Sequence, residues 1–248
     1  MDEELLVIVD GPASGAENMR RDSGLLRRCV TGEIARALRL YWFEPACLSL
    51  GRMQPDSDVD VAACARDGVD IVRRPSGGRA VLHRDEVTYA LVCAADDPVF
   101  GGDVLTSCGR IHATVADSLR GLGIATSSHV TEAGERRHMR RRMEEANCFA
   151  NPSAHELIDS TGSKLVGSAQ VRNGHALLQH GSILLEPSGA DDYLAARAGR
   201  NGLHPPTPGL RRLAGQDLSR LQVVEALATA FLTASCAEDS LTPHYDVL

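Results

Sequence analysis

The 248-residue chain is nearly devoid of lysine: 25 of its 26 basic side chains are arginine, and Lys164 stands alone. It has no apolar run close to the ~20 residues a membrane span requires. Its opening residues, Met1-Asp2-Glu3-Glu4, are too acidic for a secretory signal. A cytoplasmic setting without a membrane partner is the expectation. No C-x-x-C pair occurs among the seven cysteines (Cys29, Cys47, Cys64, Cys93, Cys108, Cys148 and Cys236). An odd, unpaired set fits neither a disulfide framework nor a zinc knuckle, and it suits a reducing compartment. The histidines and cysteines show no ligand spacing for zinc or iron, so no metal is expected. Acidic residues outnumber basic ones by 33 to 26, a net charge of −7 that argues against wholesale nucleic-acid binding. Repeats and low-complexity segments are also missing.

What remains is an ordinary globular composition, 43% apolar and 24% charged. A chain of this length buries roughly 70–75% of its unfolded surface, and one domain over residues 1–248 is the simplest organisation. A GC-rich genome explains the arginines but not the one lysine. A lysine kept against that bias marks a site that needs a compact ammonium, or an amine whose pKa burial can lower.

The patterning predicts a strand over 5–10, then a helix over 16–29 with Met19, Leu25, Leu26 and Cys29 on one face. Strands follow at 38–43, 48–50, 69–72, 80–82 and 87–93, then a helix over 105–119 ending at Gly121. A weakly alternating strand is expected at 124–130 and a solvated loop or exposed helix at 132–145. Three more strands are expected at 156–159, 164–171 and 176–185. The last element is a helix over 218–235 with Val224, Leu227, Ala228 and Phe231 on one face and Asp217 as its cap. Central strands flanked by helices predict an α+β fold with a mixed, largely antiparallel sheet.

Three segments have chemical potential. Arg73-Arg74-Pro75-Ser76-Gly77-Gly78-Arg79 lets backbone amides approach an oxyanion or phosphate, though it lacks the lysine of a P-loop and the third glycine of a dinucleotide fingerprint. Gly162-Ser163-Lys164-Leu165-Val166-Gly167-Ser168-Ala169-Gln170 places the lysine among small residues that let another chain or ligand come close. Asn147-Cys148-Phe149 puts a thiol just after an arginine cluster, and cationic neighbours favour a thiolate.

In order along the chain, Arg73-Arg74-x-Ser76-Gly77-Gly78-Arg79-Ala80-Val81-Leu82-His83, Glu86-Val87-Thr88-Tyr89, Cys148-Phe149-x-x-Pro152-Ser153, Glu156-Leu157, Lys164–Gln170 and Gln179–Leu185 resemble the lipoate–biotin protein ligase and octanoyltransferase superfamily. Within it they look most like the cysteine-dependent octanoyltransferases. The loop carries Arg79 where ligases usually have a third glycine, and Glu86-Val87-Thr88-Tyr89 replaces their Gly-Asn stretch. Cys148-Phe149 stands where ligases typically have Arg-Asn-Asp.

The resemblance implies a biotin-synthetase-like fold, related to class II synthetases. It also implies octanoyl transfer from acyl carrier protein to a lysine of a lipoyl domain or glycine-cleavage H-type protein, without a cofactor. The nucleophile would be Cys148, with Lys164 favouring the thiolate and later serving as a base, a role that requires a lowered pKa. Arg74, Ser76, Gly77, Gly78, His83, Gly167, Ser168, Ala169 and His180 would bind substrate. His83 and His180 are equally readable as hydrogen-bonded structural histidines, and Arg74 as a surface ion pair. Arg136, Arg137, Arg140, Arg141 and Arg142 would dock the acidic carrier or simply form a solvated face. The alternatives are a lipoate–protein ligase using ATP and magnesium, and a non-catalytic scaffold that binds acyl carriers.

Overall fold

The computed structural model describes residues 4–128, 147–150, 156–195 and 208–236. Its main sheet has five strands: β1 (Leu5–Val9), β2 (Arg36–Tyr41), β6 (Glu86–Ala94), β10 (Ala176–Leu184) and β9 (Val166–Asn173), in that spatial order. β1 runs parallel to β2, and every other pairing is antiparallel. A smaller sheet places β3 (Cys47–Leu50) between a parallel β4 (Asp70–Arg73) and an antiparallel β5 (Val81–His83). A two-residue ladder joins β7 (Ser127–Ser128) to β8 (Leu157–Ile158).

Period-two alternation sends successive side chains of a strand to opposite faces. Leu38, Leu40, Val87, Tyr89 and Leu91 meet Ile111, Val115 and Leu119 of α3 (Val104–Gly121) and Val223, Val224, Leu227 and Phe231 of α5 (Arg220–Cys236). From the same strands Ala37, Tyr41, Ala90 and Val92 meet Met19, Leu25, Leu26 and Cys29 of α1 (Gly15–Val30). The sheet is thus covered on both faces, which is why β6 reads as a nearly continuous apolar run.

The α+β expectation holds, with several shifts. Lys164 precedes β9 rather than beginning it, bridging Ile158 instead. The strand expected at 124–130 shrinks to Ser127–Ser128 within the described residues, because Ile124 turns into the core. Two short helices escaped the sequence reading: α2 (Val61–Arg66), capped by Asp60, and α4 (Leu210–Ala214), bounded by Gly209 and Gly215. Neither is long enough to show a helical period. The stretch 132–145 lies outside the described residues.

The cap of α5 is Ser219, not Asp217. Ser219 Oγ accepts from the Gln222 amide at 3.2 Å while Gln222 Oε1 accepts from the Ser219 amide at 2.9 Å, a reciprocal capping box. Asp217 pairs instead with Arg211 at 3.2 Å. Ser219→Ala is expected to cost about 1 kcal/mol, against a negligible effect of Asp217→Ala, in paired urea unfolding curves.

Candidate active site

Cys148 sits in a short 3₁₀ turn (Cys148–Ala150) held from three sides. Its amide donates to Ala80 O at 2.9 Å, tying it to the strand edge at β5. Asn147 Nδ2 donates to Asp191 Oδ1 at 2.9 Å, and Asn147 Oδ1 accepts from the Phe149 amide at 3.0 Å. The Phe149 ring then packs on β9 where Gly167 leaves room: a Cβ there would meet the ring at 2.8 Å. The small residues around Lys164 therefore admit another segment of the same chain.

That anchoring brings Cys148 and Lys164 together. Lys164 Nζ lies 3.4 Å from Cys148 Sγ, 3.0 Å from Cys148 O and 2.8 Å from Glu156 Oε1. Lys164 is only 2% exposed. Burial pulls its pKa down, as anticipated, but charge on Cys148 and Glu156 and their hydrogen bonds outweigh that pull. The pKa ends above the ordinary lysine value, so beside a thiolate Lys164 is an ammonium, the first of the two alternatives read from the sequence, and the lowered pKa that a base role requires is not met in that state.

The other cysteines have different surroundings. Cys29, Cys47, Cys64 and Cys93 are buried with pKa values raised chiefly by desolvation. Burial and the Glu156 charge push Cys108 up to about 11. Cys236 is exposed near the end of α5.

Cys148 opens onto a cleft with about 330 Å³ of empty space, its mouth included. Met19, Tyr41, Phe43 and Val81 give it an apolar wall, while Gly167, Ser168 and Ala169 line it along β9. The two expected histidines are both on the lining. His180 is held through Nε2 by Ser76 Oγ at 2.5 Å and through Nδ1 by Asp22 Oδ2 at 3.3 Å. His83 contacts Ser49 Oγ at 2.8 Å, stacks on Phe43 with 3.9 Å between centroids, and has its pKa lowered mainly by burial. It is therefore neutral at pH 7.

Arg74 is no surface ion pair. It is buried on the cleft lining, and it donates to Ser49 O, Ser49 Oγ, Gly77 O and Arg79 O between 2.6 and 3.2 Å. Desolvation lowers its pKa, and charge on Cys148 works in the opposite direction. Gly77 and Gly78 stay off the lining. Gly78, at φ +87°, lets its carbonyl pack on Gly51, where a Cβ would come within 2.0 Å of that oxygen. Ser76 is likewise behind the wall, reaching the cleft through His180. The arginines at 136–142, with Pro152 and Ser153, lie outside the described residues.

Sequence reasoning missed the support behind these groups. Arg39, on the α1 face of β2, donates to Asp10 Oδ2 at 2.5 Å, Asp22 Oδ1 at 2.7 Å and Asn18 Oδ1 at 2.7 Å, and it lies 3.8 Å over the Tyr41 ring. Tyr41 also donates to Asp22, at 2.7 Å. Glu156 was read only as part of a motif. A buried lysine needs a counter-charge, and that requirement was the available signal.

A model described as the lipoyl protein ligase A/B catalytic domain matches residues 14–232. The octanoyltransferase LipM of Kyrpidia tusciae is 37% identical over 234 residues, 90% of this chain and 84% of that protein. The LipM of Carboxydothermus hydrogenoformans is 41% identical over 174 residues, 70% of this chain but only 62% of the relative's length. Among solved structures, a lipoate-protein ligase A bound with ATP superposes with a TM-score of 0.71 at 20% identity, covering 94% of this chain and 85% of that one. The bi-partite lipoate protein ligase of Thermoplasma acidophilum gives 0.64 at 19%, covering 93% and 83%. The ligase structures share the fold, and the family match takes in every element from α1 to most of α5. The chain belongs to the lipoyl protein ligase A/B catalytic-domain family.

Proposed function

We propose that this chain is a protein octanoyltransferase, moving an octanoyl group from acyl carrier protein to a lysine of a lipoyl-accepting protein through a thioester on Cys148. The observation that carries the reading is the Cys148 sulfur 3.4 Å from a buried ammonium at the wall of a half-apolar cleft. Relatives bearing the name octanoyltransferase support the reaction class. A ligase of the same fold studied with its lipoyl domain supports the acceptor class.

A thioester is already activated, so a thiolate can take the acyl group without an adenylate. The Cys148 thiolate attacks the carbonyl, a new C–S bond forms, and the carrier's C–S bond breaks. The departing carrier thiolate takes a proton from Lys164. The acceptor amine, after losing one proton to water, attacks the enzyme thioester. A C–N bond forms, the bond to Cys148 breaks, and the nitrogen's second proton passes to Lys164, restoring thiolate and ammonium. The oxyanion is assigned to donors of the Gly167–Ser168 stretch, which shares the cleft lining with Cys148. The acyl tail lies along Met19, Phe43 and Val81, with about 0.8 kcal/mol gained per buried methylene. Arg74 adds positive charge on the same lining.

Octanoyl-loaded carrier protein, without ATP, should leave the mass of one octanoyl group on Cys148. The acyl group should then move to a lipoyl domain when one is added. Modification of the acceptor only from free lipoate with ATP and magnesium would assign the chain to the ligases instead. Binding of both carriers with no transfer under either condition would make it a scaffold.

A further inference from the structure

Among the described residues, Lys164 Nζ approaches Glu156 Oε1 at 2.8 Å, Cys148 O at 3.0 Å and Cys148 Sγ at 3.4 Å. An ammonium has three N–H bonds and no lone pair; a neutral amine has two and one. The carboxylate and the main-chain carbonyl keep their character throughout acyl transfer. The sulfur does not, because acylation turns a charged acceptor into a neutral thioester. The N–H bond facing sulfur is also the one with the longest contact.

We propose that Glu156 is a positioning residue: together with the main-chain carbonyl of Cys148 it holds two N–H bonds of Lys164 through the cycle, so that the proton given up and recovered is the one aimed at Sγ. The role rests on the reading that Cys148 carries the acyl group. It places the lone pair of the neutral amine toward the sulfur, where the carrier thiolate leaves and the acceptor amine arrives. An amine free to rotate would point that lone pair at the carboxylate or the carbonyl for part of the time.

Several ionisable groups among the described residues act on this pair or feel its charge. Cys148 and Glu156 act on Lys164 directly. Cys108 of α3, whose Sγ lies 3.6 Å from His112 Nδ1, feels both Lys164 and Glu156. Tyr89 of β6 feels Glu156 and Cys108, and Arg74 feels Cys148. Capping the sulfur removes one of the charges that hold the Lys164 proton, and burial then counts for more. Removing the Glu156 charge acts in the same direction.

Because the chain has one lysine, isotope-labelled lysine gives a single side-chain signal whose titration is that of Lys164. In full-length E156Q the midpoint should fall by about one to three pH units, the usual effect of losing an opposite charge at contact distance. Capping wild-type Cys148 with iodoacetamide should also lower it, and capping E156Q should lower it further. The basic limb of the transfer-rate profile should move with the midpoint. E156D keeps the charge but withdraws it by one methylene, so its midpoint should stay closer to the wild-type value. Its transfer should nevertheless slow, on the order of a hundredfold for a misplacement near 1 Å.

An E156Q midpoint equal to that of wild type overturns the proposal. So does an E156D enzyme as fast as wild type, a result that stands even if E156Q does not fold. Failure of the octanoyl reading would appear separately, as a wild-type chain that takes no octanoyl group on Cys148. The lysine titration, with iodoacetamide as the cap, would still report the hold of Glu156.

Discussion

Cys148→Ser is expected to lower octanoyl transfer by at least about a thousandfold, because a serine hydroxyl beside an ammonium is a far poorer nucleophile than a thiolate. The geometry isolates this effect from folding. Cys148 lies half-buried at the cleft wall, and its backbone anchors (Ala80 O and the Phe149 ring on Gly167) do not involve the sulfur. Thermal unfolding should therefore be nearly unchanged, and the octanoyl mass should be missing from the protein after incubation with loaded carrier. Full transfer by the serine variant would mean that the acyl group passes directly between carriers, or travels on another residue. Five of the six remaining thiols offer no ready substitute, since the four buried ones and Cys108 have raised pKa values, and the sixth, Cys236, is off the cleft lining at the end of α5.

Asp22→Ala is expected to have the largest effect on stability, about 3–5 kcal/mol, the usual consequence of leaving a buried charge without its partner. Asp22 is fully buried and receives Arg39 Nη1 and Tyr41 OH, each at 2.7 Å, with His180 Nδ1 at 3.3 Å. Asp10 still faces Arg39 Nε, but it is partly exposed and cannot replace the interior carboxylate. At roughly 2–4 °C per kcal/mol for a chain of this size, the melting temperature should drop by about 10 °C. A drop below about 2 °C would show that the network contributes little beyond packing. The same substitution releases one of the two hydrogen bonds on the His180 ring, so the folded fraction should also bind acyl carrier less well.

These two residues mark the limits of what the sequence discloses. Helices α1, α3 and α5 were legible because an apolar stripe at 3.6-residue spacing is a local signal. The central strands were legible as apolar runs between turn residues. Arg39 was not: between Leu38 and Leu40 it reads as pointing to a wet face, yet β2 is buried on both faces. The partner that makes Arg39 tolerable sits on α1, and no local pattern links the two. Lys164 announced itself by scarcity, whereas its pairing with Cys148, 16 positions earlier, came from resemblance to a family. Its protonation stayed open between a compact ammonium and an amine with a burial-lowered pKa, because the opposing charge of Glu156 has no local signal. Arg74 was read as a substrate-binding residue or a surface ion pair, since arginine is usually exposed, and its four acceptors explain how a guanidinium remains inside.

An enzyme that holds an activated acyl group near a passage for lysine amines risks modifying any such amine on its own surface or on a neighbouring copy. Here the single side-chain amine of the whole sequence is sealed at 2% exposure against a carboxylate. Arginine guanidinium groups carry the rest of the positive charge and stay protonated, hence unreactive toward thioesters. The one side-chain amine near the acyl group is Lys164 itself, 3.4 Å from Cys148 Sγ, so prolonged incubation with an acyl donor should acylate no nitrogen of an exposed side chain.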